Sequence, residues 1–505
     1  NIIICSDGTG NTAIKARGSN VFKLFEAVDL HDANQPQVAI YDDGVGTGSL
    51  KPLKLLGGAF GFGLSRNVRQ LYASLARVYD PGDRIYLFGF SRGAFTVRSL
   101  AGLITNMGIV DRHLCDSDVT LRRRVIQAYR EYRYRNRAPF EIILHLLFGW
   151  LWLLAGMVTG RPAGYLGVET FRARHAVKSP GQPDKICNEV RFIGVWDTVS
   201  AVGFPILGVA DLINTVFYRF KFPDYKLHPA VAQGCHALAI DDQRKTFHPL
   251  LWNQQSEQTD RIEQVWFAGA HANVGGGYPR QGLSLVTLDW MLRKACNAGV
   301  KFLGHDAGLY RKRQNVNDKL YDSRAGLGAY YRYSPRDLHA SCKANGVPPR
   351  IHASVINRIV QGTDGYAPGN LPRGFEIVDA DALGCRWPEA SASMTAVLQE
   401  KTSLLDRVRA GIVLRKLASW VFLLATLYLL WRSLPPDMWQ RGVTGLAGDF
   451  TSRELFVNIA RQPWWLFVIL IAIYLLAATL RSGMQRSFSK FWYQLVLRKF
   501  GTTRE

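Results

Sequence analysis

The sequence contains little cysteine, and its few cysteines form no pattern of a metal centre or a disulfide framework. There are seven among 505 residues, scattered from Cys5 to Cys385, and none stands in a Cys-x-x-Cys pair. An odd number of dispersed cysteines is typical of reduced core positions. We therefore expect the globular part of the chain to fold in a reducing compartment.

Acidic residues are also scarce, with 40 Asp and Glu against 62 Lys and Arg, which gives a formal net charge of +22. Such an excess is typical of proteins that bind nucleic acid, an anionic membrane or an acidic substrate. Zinc-finger spacing, an RNA-recognition signature and a basic zipper are all absent from the sequence. Much of the arginine stands beside apolar runs, as in 121–137, which favours lipid headgroups over nucleic acid.

No signal peptide precedes the first strand-like run. The chain opens at Asn1 without a methionine, so we expect a short segment before it. Over the first 300 residues, β-branched or aromatic runs such as "DRIYLFGF" alternate with helical patterns such as "SRNVRQLYASLARVYD". This alternation predicts an α/β-hydrolase-like, mostly parallel sheet with helices on both faces, followed by a C-terminal hydrophobic helical hairpin. Functional residues of such sheets collect at the carboxyl ends of strands.

The pattern divides the chain into three predicted regions. Residues 1–300 form the catalytic domain, with a hydrophobic insertion at about 140–160. Residues 301–400 are polar and weakly periodic, which indicates an insertion or cap. Residues 401–505 form a membrane-associated helical hairpin with a basic tail. The glycine-rich run 57–63 lacks the Lys-Ser/Thr of a P-loop and is predicted to be a flexible loop near the site.

Three apolar stretches bear on membrane attachment: 142–158, 417–431 and 464–480. A helix needs about 20 residues to cross the hydrocarbon, with about 17 as the lower limit. The last two stretches are predicted to form a hairpin. The first lies between the candidate nucleophile and its partners, so a full crossing there would separate them. For that stretch we expect a re-entrant, interfacial, buried or lid-like helix.

Positive charge predicts the orientation of the hairpin. Residues 401–416 carry five Lys or Arg and residues 481–505 carry six, whereas the 32-residue connection carries four. The positive-inside tendency then places both flanks, and the hydrolase domain with them, in the cytoplasm of a cell whose inner membrane holds the hairpin. A bacterial inner membrane fits this arrangement.

The motif "GFSRG", Gly89 to Gly93, follows an apolar strand and precedes a helical pattern. It matches the Gly-x-Ser-x-Gly nucleophile elbow, in which glycines two positions before and after the serine avoid collisions in a sharp turn. Ser91 is therefore the candidate nucleophile. The N–H group of Arg92 and the positive end of the following helix face the developing oxyanion.

A serine hydroxyl needs an imidazole to remove its proton and a carboxylate to orient that imidazole. His271 ends the strand "VWFAGAH" and Asp197 ends the strand "FIGVWD", in the order expected for α/β hydrolases. The alternatives His236, His248, Asp241 and Asp242 rank lower because loop or helical patterns surround them. The turn "SDGTGN" places the Gly8 and Thr9 N–H groups as candidate second oxyanion donors. Gly275, Gly276 and Gly277 leave room for substrate or for a close turn.

Several stretches together resemble a known family: "CSDGTGN", "YDDGVGTG", "YLFGFSRGAFTVRSLAGLI", "FIGVWDTVSAVG" and "VWFAGAHANVGGGYP". In this order they resemble the α/β-hydrolase domain of the Tle-type phospholipase effectors of the type VI secretion system, over residues 1 to about 300. The resemblance implies a triad of Ser91, Asp197 and His271 and the hydrolysis of carboxylic esters in lipids.

We therefore expect a membrane-associated serine esterase that acts on phospholipids or related lipids, with membrane lipid as both substrate and anchor. The mechanism requires no metal and no organic cofactor, nucleic acid is not an expected partner, and the number of chains that assemble is left open. Two other hypotheses remain. One is a non-catalytic membrane scaffold or channel-like assembly that keeps the hydrolase fold. The other is a type VI secreted antibacterial lipase.

Overall fold

The computed structural model describes residues 1–8, 18–44, 59–135, 167–200, 225–255, 261–366, 368–372, 374–379, 402–434 and 452–500. The apolar stretch 142–158, predicted to be a lid-like or interfacial helix, lies outside the described residues, as does Thr9.

A single parallel sheet of eight strands organises the described part of the chain. Its order is β10-β9-β8-β7-β6-β3-β1-β2, and every neighbouring pair runs parallel. A short antiparallel hairpin of β4 and β5 stands apart. The strands are β1 (Ile2–Ser6), β2 (Val38–Asp42), β3 (Ile85–Phe90), β4 (Lys178–Ser179), β5 (Gln182–Ile186), β6 (Phe192–Trp196), β7 (Gly234–Ala239), β8 (Ile262–Phe267), β9 (Arg350–His352) and β10 (Glu376–Val378).

The helices of the described residues are α1 (Asn20–Ala27), α2 (Ala59–Val78), α3 (Arg92–Met107), α4 (Asp118–Arg135), α5 (Val168–His175), α6 (His271–Gly275), α7 (Gly282–Ala298), α8 (Gly304–Arg313), α9 (Leu338–Asn345), α10 (Ala353–Val360), α11 (Thr402–Ser433), α12 (Ser452–Ala460) and α13 (Trp464–Phe500). Helices α2 and α3 cover one face of the sheet, and α1 and α7 cover the other. The predicted flexible loop at 57–63 is wrong from Ala59 onward, because α2 begins there.

The central strands are apolar along their whole length because both of their faces are buried. In β1, Ile2 and Ile4 pack with α2 and α3 on one face, whereas Ile3 and Cys5 pack with α1 and α7 on the other. Alternate side chains of a strand point to opposite faces, so a doubly covered strand reads as a continuous apolar run. The predicted α/β-hydrolase-like fold class is confirmed.

The described part of residues 301–400 extends the sheet. Strands β9 and β10 pair in parallel beyond β8, and Ile351 packs in one cluster with Leu238 and Trp266 of the preceding strands. A boundary at residue 300 therefore does not separate a cap from the sheet. The polar, weakly periodic sequence hid these strands because each has only three residues.

The two apolar helices at the carboxyl end pack against each other as a hairpin. Residues Ala410–Ser433 of α11 and Trp464–Met484 of α13 have the length and hydropathy needed to cross a membrane. Only 28% and 6% of their apolar windows are buried within the protein. Core helices of soluble proteins are mostly buried, whereas these two helices are mostly exposed.

Candidate active site

The turn after β3 holds Ser91 in a backbone conformation that residues other than glycine rarely adopt, with φ 59° and ψ −120°. A Cβ atom on Gly93 would lie 2.1 Å from the carbonyl oxygen of Ser6, and one on Gly89 would lie 2.7 Å from the backbone of Ala94. Only glycine fits at both positions. The turn therefore lifts Ser91 clear of the sheet, as the elbow motif predicts.

The structure brings the three predicted residues together. Nε2 of His271 lies 2.8 Å from Oγ of Ser91, and Nδ1 of the same ring lies 2.6 Å from Oδ2 of Asp197. All three side chains are buried. Ser91 follows β3, Asp197 follows β6 and His271 begins α6 after β8, so the parallel strands deliver all three to the same edge of the sheet.

Asp197 has a second ionic partner, Arg336. Its Nη1 and Nη2 each lie 2.7 Å from one carboxylate oxygen, a two-pronged arrangement in which Arg336 is 2% exposed. Arg336 also donates to the carbonyl oxygens of Ala239 and Phe247. Burial by itself would raise the pKa of Asp197, but the charge and hydrogen bonds of Arg336, together with His271, hold it well below its usual range.

Burial sets the protonation state of His271. Removal from water lowers the pKa of its imidazole, although Asp197 acts in the opposite direction. Phe90 and Phe247 enclose the ring, with centroids 4.6 Å and 4.9 Å away. The ring is therefore neutral at neutral pH, so Nε2 is able to accept a proton when Nδ1–H donates to Asp197.

The alternative residues have other partners. His236 accepts from the N–H of Thr198 at 3.1 Å, and burial lowers its pKa to about 3. His248 donates from Nε2 to the carbonyl oxygen of Ser334 at 2.9 Å. Asp241 accepts from the N–H of Gly269.

Asp242 contacts the backbone of His271 rather than its ring. Its carboxylate pairs with Arg244 and accepts from the backbone N–H of His271 at 3.2 Å. It holds the backbone of the histidine, whereas Asp197 meets the ring.

The predicted oxyanion donors divide into two sets. Arg92 begins α3 directly after Ser91, so its N–H belongs to the helix end that has no acceptor within the helix. The N–H of Gly8 instead donates to Oδ1 of Asp7 at 2.6 Å. Asp7 is 1% exposed and also accepts from Ser19 and Tyr41, because a buried carboxylate needs several donors. In this structure Gly8 is thus engaged with Asp7.

The predicted substrate loop forms a close turn. A Cβ atom on Gly275 would lie 2.0 Å from the ring of Phe90, and one on Gly276 would lie 2.7 Å from the backbone nitrogen of Asn20. Gly276 and Gly277 both have positive φ. Of the two alternatives, the described contacts of Gly275 and Gly276 favour the turn, because protein atoms occupy the space that the missing side chains leave.

Sequence reasoning missed Arg336. It stands in "YRYSPRDLH", which carries no motif and lies outside the strand-and-helix alternation. The available signal was physical: a buried carboxylate is costly unless a positive charge pairs with it, and the chain has an excess of Lys and Arg.

Comparison with known proteins places the chain in a family. Residues 1–294 match the family described as "T6SS, Phospholipase effector Tle1-like, catalytic domain", which is more than half of the chain. The uncharacterized protein YEL023C of Saccharomyces cerevisiae is 31% identical over 265 residues. That match covers 50% of this chain and 32% of the yeast protein, so the chain spans about a third of the length of this curated relative.

Two solved structures have weaker likeness. An uncharacterized protein from Pseudomonas aeruginosa has 14% identity and a TM-score of 0.36, over 79% of this chain and 60% of the other. The Tle1 effector bound to the VgrG spike of the type 6 secretion system has 19% identity and a TM-score of 0.28, over 55% and 51%. Neither score supports a further conclusion. On the family match over residues 1–294, the chain belongs to the Tle1-like phospholipase effectors of the type VI secretion system, through their catalytic domain.

Proposed function

We propose that this protein is a membrane-bound serine hydrolase that cleaves carboxylic ester bonds of phospholipids or related lipids. The observation that carries the proposal is the continuous contact from Ser91 Oγ to His271 Nε2 and from His271 Nδ1 to Asp197, at 2.8 Å and 2.6 Å. Both lengths are those of hydrogen bonds, and their order is that of an activated serine nucleophile. Membership of a phospholipase effector family supports the same reaction class.

In the first half of the proposed reaction, Oγ of Ser91 attacks the ester carbonyl carbon while Nε2 of His271 takes the hydroxyl proton. The imidazolium that forms is stabilised by the ionised carboxylate of Asp197. The tetrahedral intermediate collapses, the bond to the alcohol oxygen breaks, and His271 returns the proton to that oxygen. In the second half, His271 deprotonates a water molecule that attacks the acyl-serine, which releases the fatty acid and restores Ser91.

The oxyanion is stabilised from the first turn of α3 in this mechanism. The N–H of Arg92 and the positive end of the helix lie next to the nucleophile. A second donor is expected from the turn after β1, where Thr9 remains the candidate. The Gly8 N–H serves only if it leaves the Asp7 carboxylate on substrate binding.

The hairpin of α11 and α13 supports a lipid substrate because it exposes apolar side chains beside the hydrolase. Leu424 is 57% exposed, Ile471 is 58% and Trp464 is 75%. Trp464 stands at the start of its helix, where tryptophan is typical of the membrane–water interface. We propose that the hairpin inserts in a membrane with both flanks, and the hydrolase with them, on the cytoplasmic side.

The proposal is tested with full-length protein in micelles and on phospholipid liposomes. A fluorophosphonate probe should label the wild type but not Ser91→Ala, and fatty acid should be released by the wild type alone. Labelling that persists in Ser91→Ala would refute the assignment of the nucleophile. Equal low release by both proteins would favour the scaffold hypothesis.

A second candidate, the secreted antibacterial lipase, is favoured by the family description, which is that of type VI effectors. It shares the catalytic centre and differs in the route of the protein. Expression of the wild type on the periplasmic and on the cytoplasmic side of a test bacterium separates the two roles. Growth inhibition from the periplasmic side that requires Ser91 supports the effector role, and a harmless wild type on both sides contradicts it.

A further inference from the structure

The segment 324–336, here called the linking segment, lies between the hydrophobic hairpin and the candidate catalytic centre. It ends at Arg336, which forks onto Asp197. None of the stretches that resemble the family falls in it, and it follows the matched residues 1–294. Its contacts on either side decide what it does.

On one side, the linking segment is held by α11. The guanidinium of Arg415 donates to the hydroxyl of Tyr333 at 2.9 Å and lies 4.0 Å from the centre of its ring. Ser419 Oγ accepts from Arg324 at 3.2 Å and from the backbone N–H of Tyr333 at 3.4 Å. Arg415 is 5% exposed, although Lys416, the next residue of the same helix, is exposed. A buried charge is costly unless polar groups meet it, and the Tyr333 hydroxyl and ring, together with Gln243 Oε1 at 3.2 Å, meet this one. These contacts fix the helix to the segment.

On the other side, the segment contacts the loop after β7. The backbone N–H of Ser334 donates to the carbonyl oxygen of Gln243 at 2.8 Å, and the backbone N–H of Lys245 donates to the carbonyl oxygen of Arg332 at 2.9 Å. The same loop carries Phe247, whose ring meets both Tyr331 and His271, with centroids 5.5 Å and 4.9 Å away. One segment therefore touches the hairpin, the triad acid and the ring that packs on the triad base.

We propose that Arg336 is a positioning residue for Asp197, and that docking of the hairpin on the linking segment holds Arg336 in place. This inference rests on the proposed function, in which Asp197 orients His271. Without the guanidinium, a fully buried carboxylate keeps one charged partner fewer and two unmatched oxygen lone pairs. The hairpin would then serve catalysis as well as attachment, because its departure loosens the support of the catalytic acid.

A pH profile separates positioning from bulk stability. The charged and titratable groups facing this pair are Arg336 from the segment, and Asp241, Asp242 and Arg244 from the loop after β7, with His236 behind. Loss of Arg336 leaves Asp197 buried without its main counter-charge, so the pKa of Asp197 rises. Its protonation then removes the acceptor for His271 Nδ1–H at a pH at which the wild type is still active.

The first experiment compares Arg336→Met, Arg336→Lys and Arg358→Met in micelles with a soluble short-chain ester. We expect Arg336→Met to lower kcat/KM by about 100-fold and to move its acid limb to higher pH, because the triad is misplaced. Arg336→Lys keeps the charge but loses the two-pronged contact, so its kcat/KM and acid limb should lie between those of the wild type and Arg336→Met. Arg358 is equally buried but donates to the carbonyls of Val316 and Asp318, so Arg358→Met should keep the wild-type limb.

A folded Arg336→Met with the wild-type acid limb would overturn the inference. If Arg336→Met does not fold, Arg336→Lys provides the test. A folded lysine variant with the wild-type kcat/KM and the wild-type acid limb would also overturn the inference. A second readout does not need turnover: the low-field NMR resonance of the His271 Nδ1 proton. It should disappear at higher pH in Arg336→Met than in the wild type. Failure of the proposed reaction would appear separately, as equal ester cleavage by wild type and Ser91→Ala.

The second experiment tests the hairpin contact with adjacent residues of the same helix. Arg415→Met removes the contact with Tyr333, whereas Lys416→Met removes the same charge from an exposed neighbour. We expect Arg415→Met to lower kcat/KM about tenfold, with a smaller upward shift of the acid limb. Lys416→Met should match the wild type. Identical profiles for the two variants would show that the hairpin does not support Arg336.

Discussion

The candidate site and the hairpin depart in opposite ways from the usual distribution of side chains, in which charged groups are exposed and apolar groups are buried. At the carboxyl edge of the sheet, the charged Asp197 and Arg336 are almost fully buried. In the hairpin, apolar side chains are outside, with Ile471 58% and Trp464 75% exposed. Buried charge and large exposed apolar surface are both unfavourable unless something compensates for them.

The compensation differs between the two regions. At the edge of the sheet, residues of the chain itself compensate for the buried charge. The Asp197 carboxylate accepts hydrogen bonds from Arg336, His271 and the N–H of Ala239. For the hairpin we propose that the compensation lies outside the chain, because lipid is the environment in which an apolar surface is favourable. The stability of the first region therefore depends on the geometry of its contacts, and that of the second on the medium around it. Different substitutions test the two.

The largest expected effect comes from breaking the compensation inside the chain. Asp197→Asn keeps the shape but leaves the Arg336 guanidinium buried without its ionic partner. We expect kcat for ester hydrolysis to fall about 10⁴-fold. The free energy of unfolding should fall by about 3 kcal/mol. Stopped-flow assays and urea unfolding measure the two effects, and an asparagine variant of wild-type stability would mean that the ion pair contributes no net stability.

A smaller effect compares glycines in the two regions. Gly93→Ala pushes a methyl group against the backbone of Ser6, and we expect a loss of about 3 kcal/mol in the free energy of unfolding. An added Cβ on Gly483 in α13 would meet no described atom outside its own stretch of helix within 4 Å, so Gly483→Ala should stabilise the helix by about 1 kcal/mol. Urea unfolding in micelles measures both. Equal effects would remove the steric argument for the elbow.

The smallest expected effect tests the compensation outside the chain. The double variant Leu424→Ser and Ile471→Ser removes apolar area from exposed positions of the hairpin. We expect affinity for liposomes to fall at least tenfold, since burial of one such side chain contributes about 1.5–3 kcal/mol. Flotation measures binding, and the unfolding midpoint in micelles should stay that of the wild type. Unchanged flotation would contradict lipid contact at these positions.

Much of the candidate site could be predicted because its signals are local. A strand followed by a glycine-flanked serine, and strands followed within four residues by Asp197 and His271, are each recognisable from a few consecutive residues. Parallel strands then bring their ends to one edge wherever they stand in the sequence. The hairpin is also local, since the length and hydropathy of a helix are properties of one continuous stretch.

Long-range contacts were not predictable in this way. Arg336 stands 139 positions from Asp197, and the sequence around neither residue indicates a contact with the other. Gly8 lies in the turn where an oxyanion donor is expected, yet its N–H donates to the carboxylate of Asp7. Gly276 is a close turn because Asn20 lies against it.

By itself, the sequence determined the alternating fold of the core, the glycine-flanked serine turn and the presence of two apolar helices, because these depend on the chemistry of consecutive residues. Only the tertiary structure decided that the polar segment after residue 300 adds strands to the sheet and places a guanidinium on the carboxylate of Asp197. Burial makes charge pairing obligatory, but it does not say which distant residue supplies the partner.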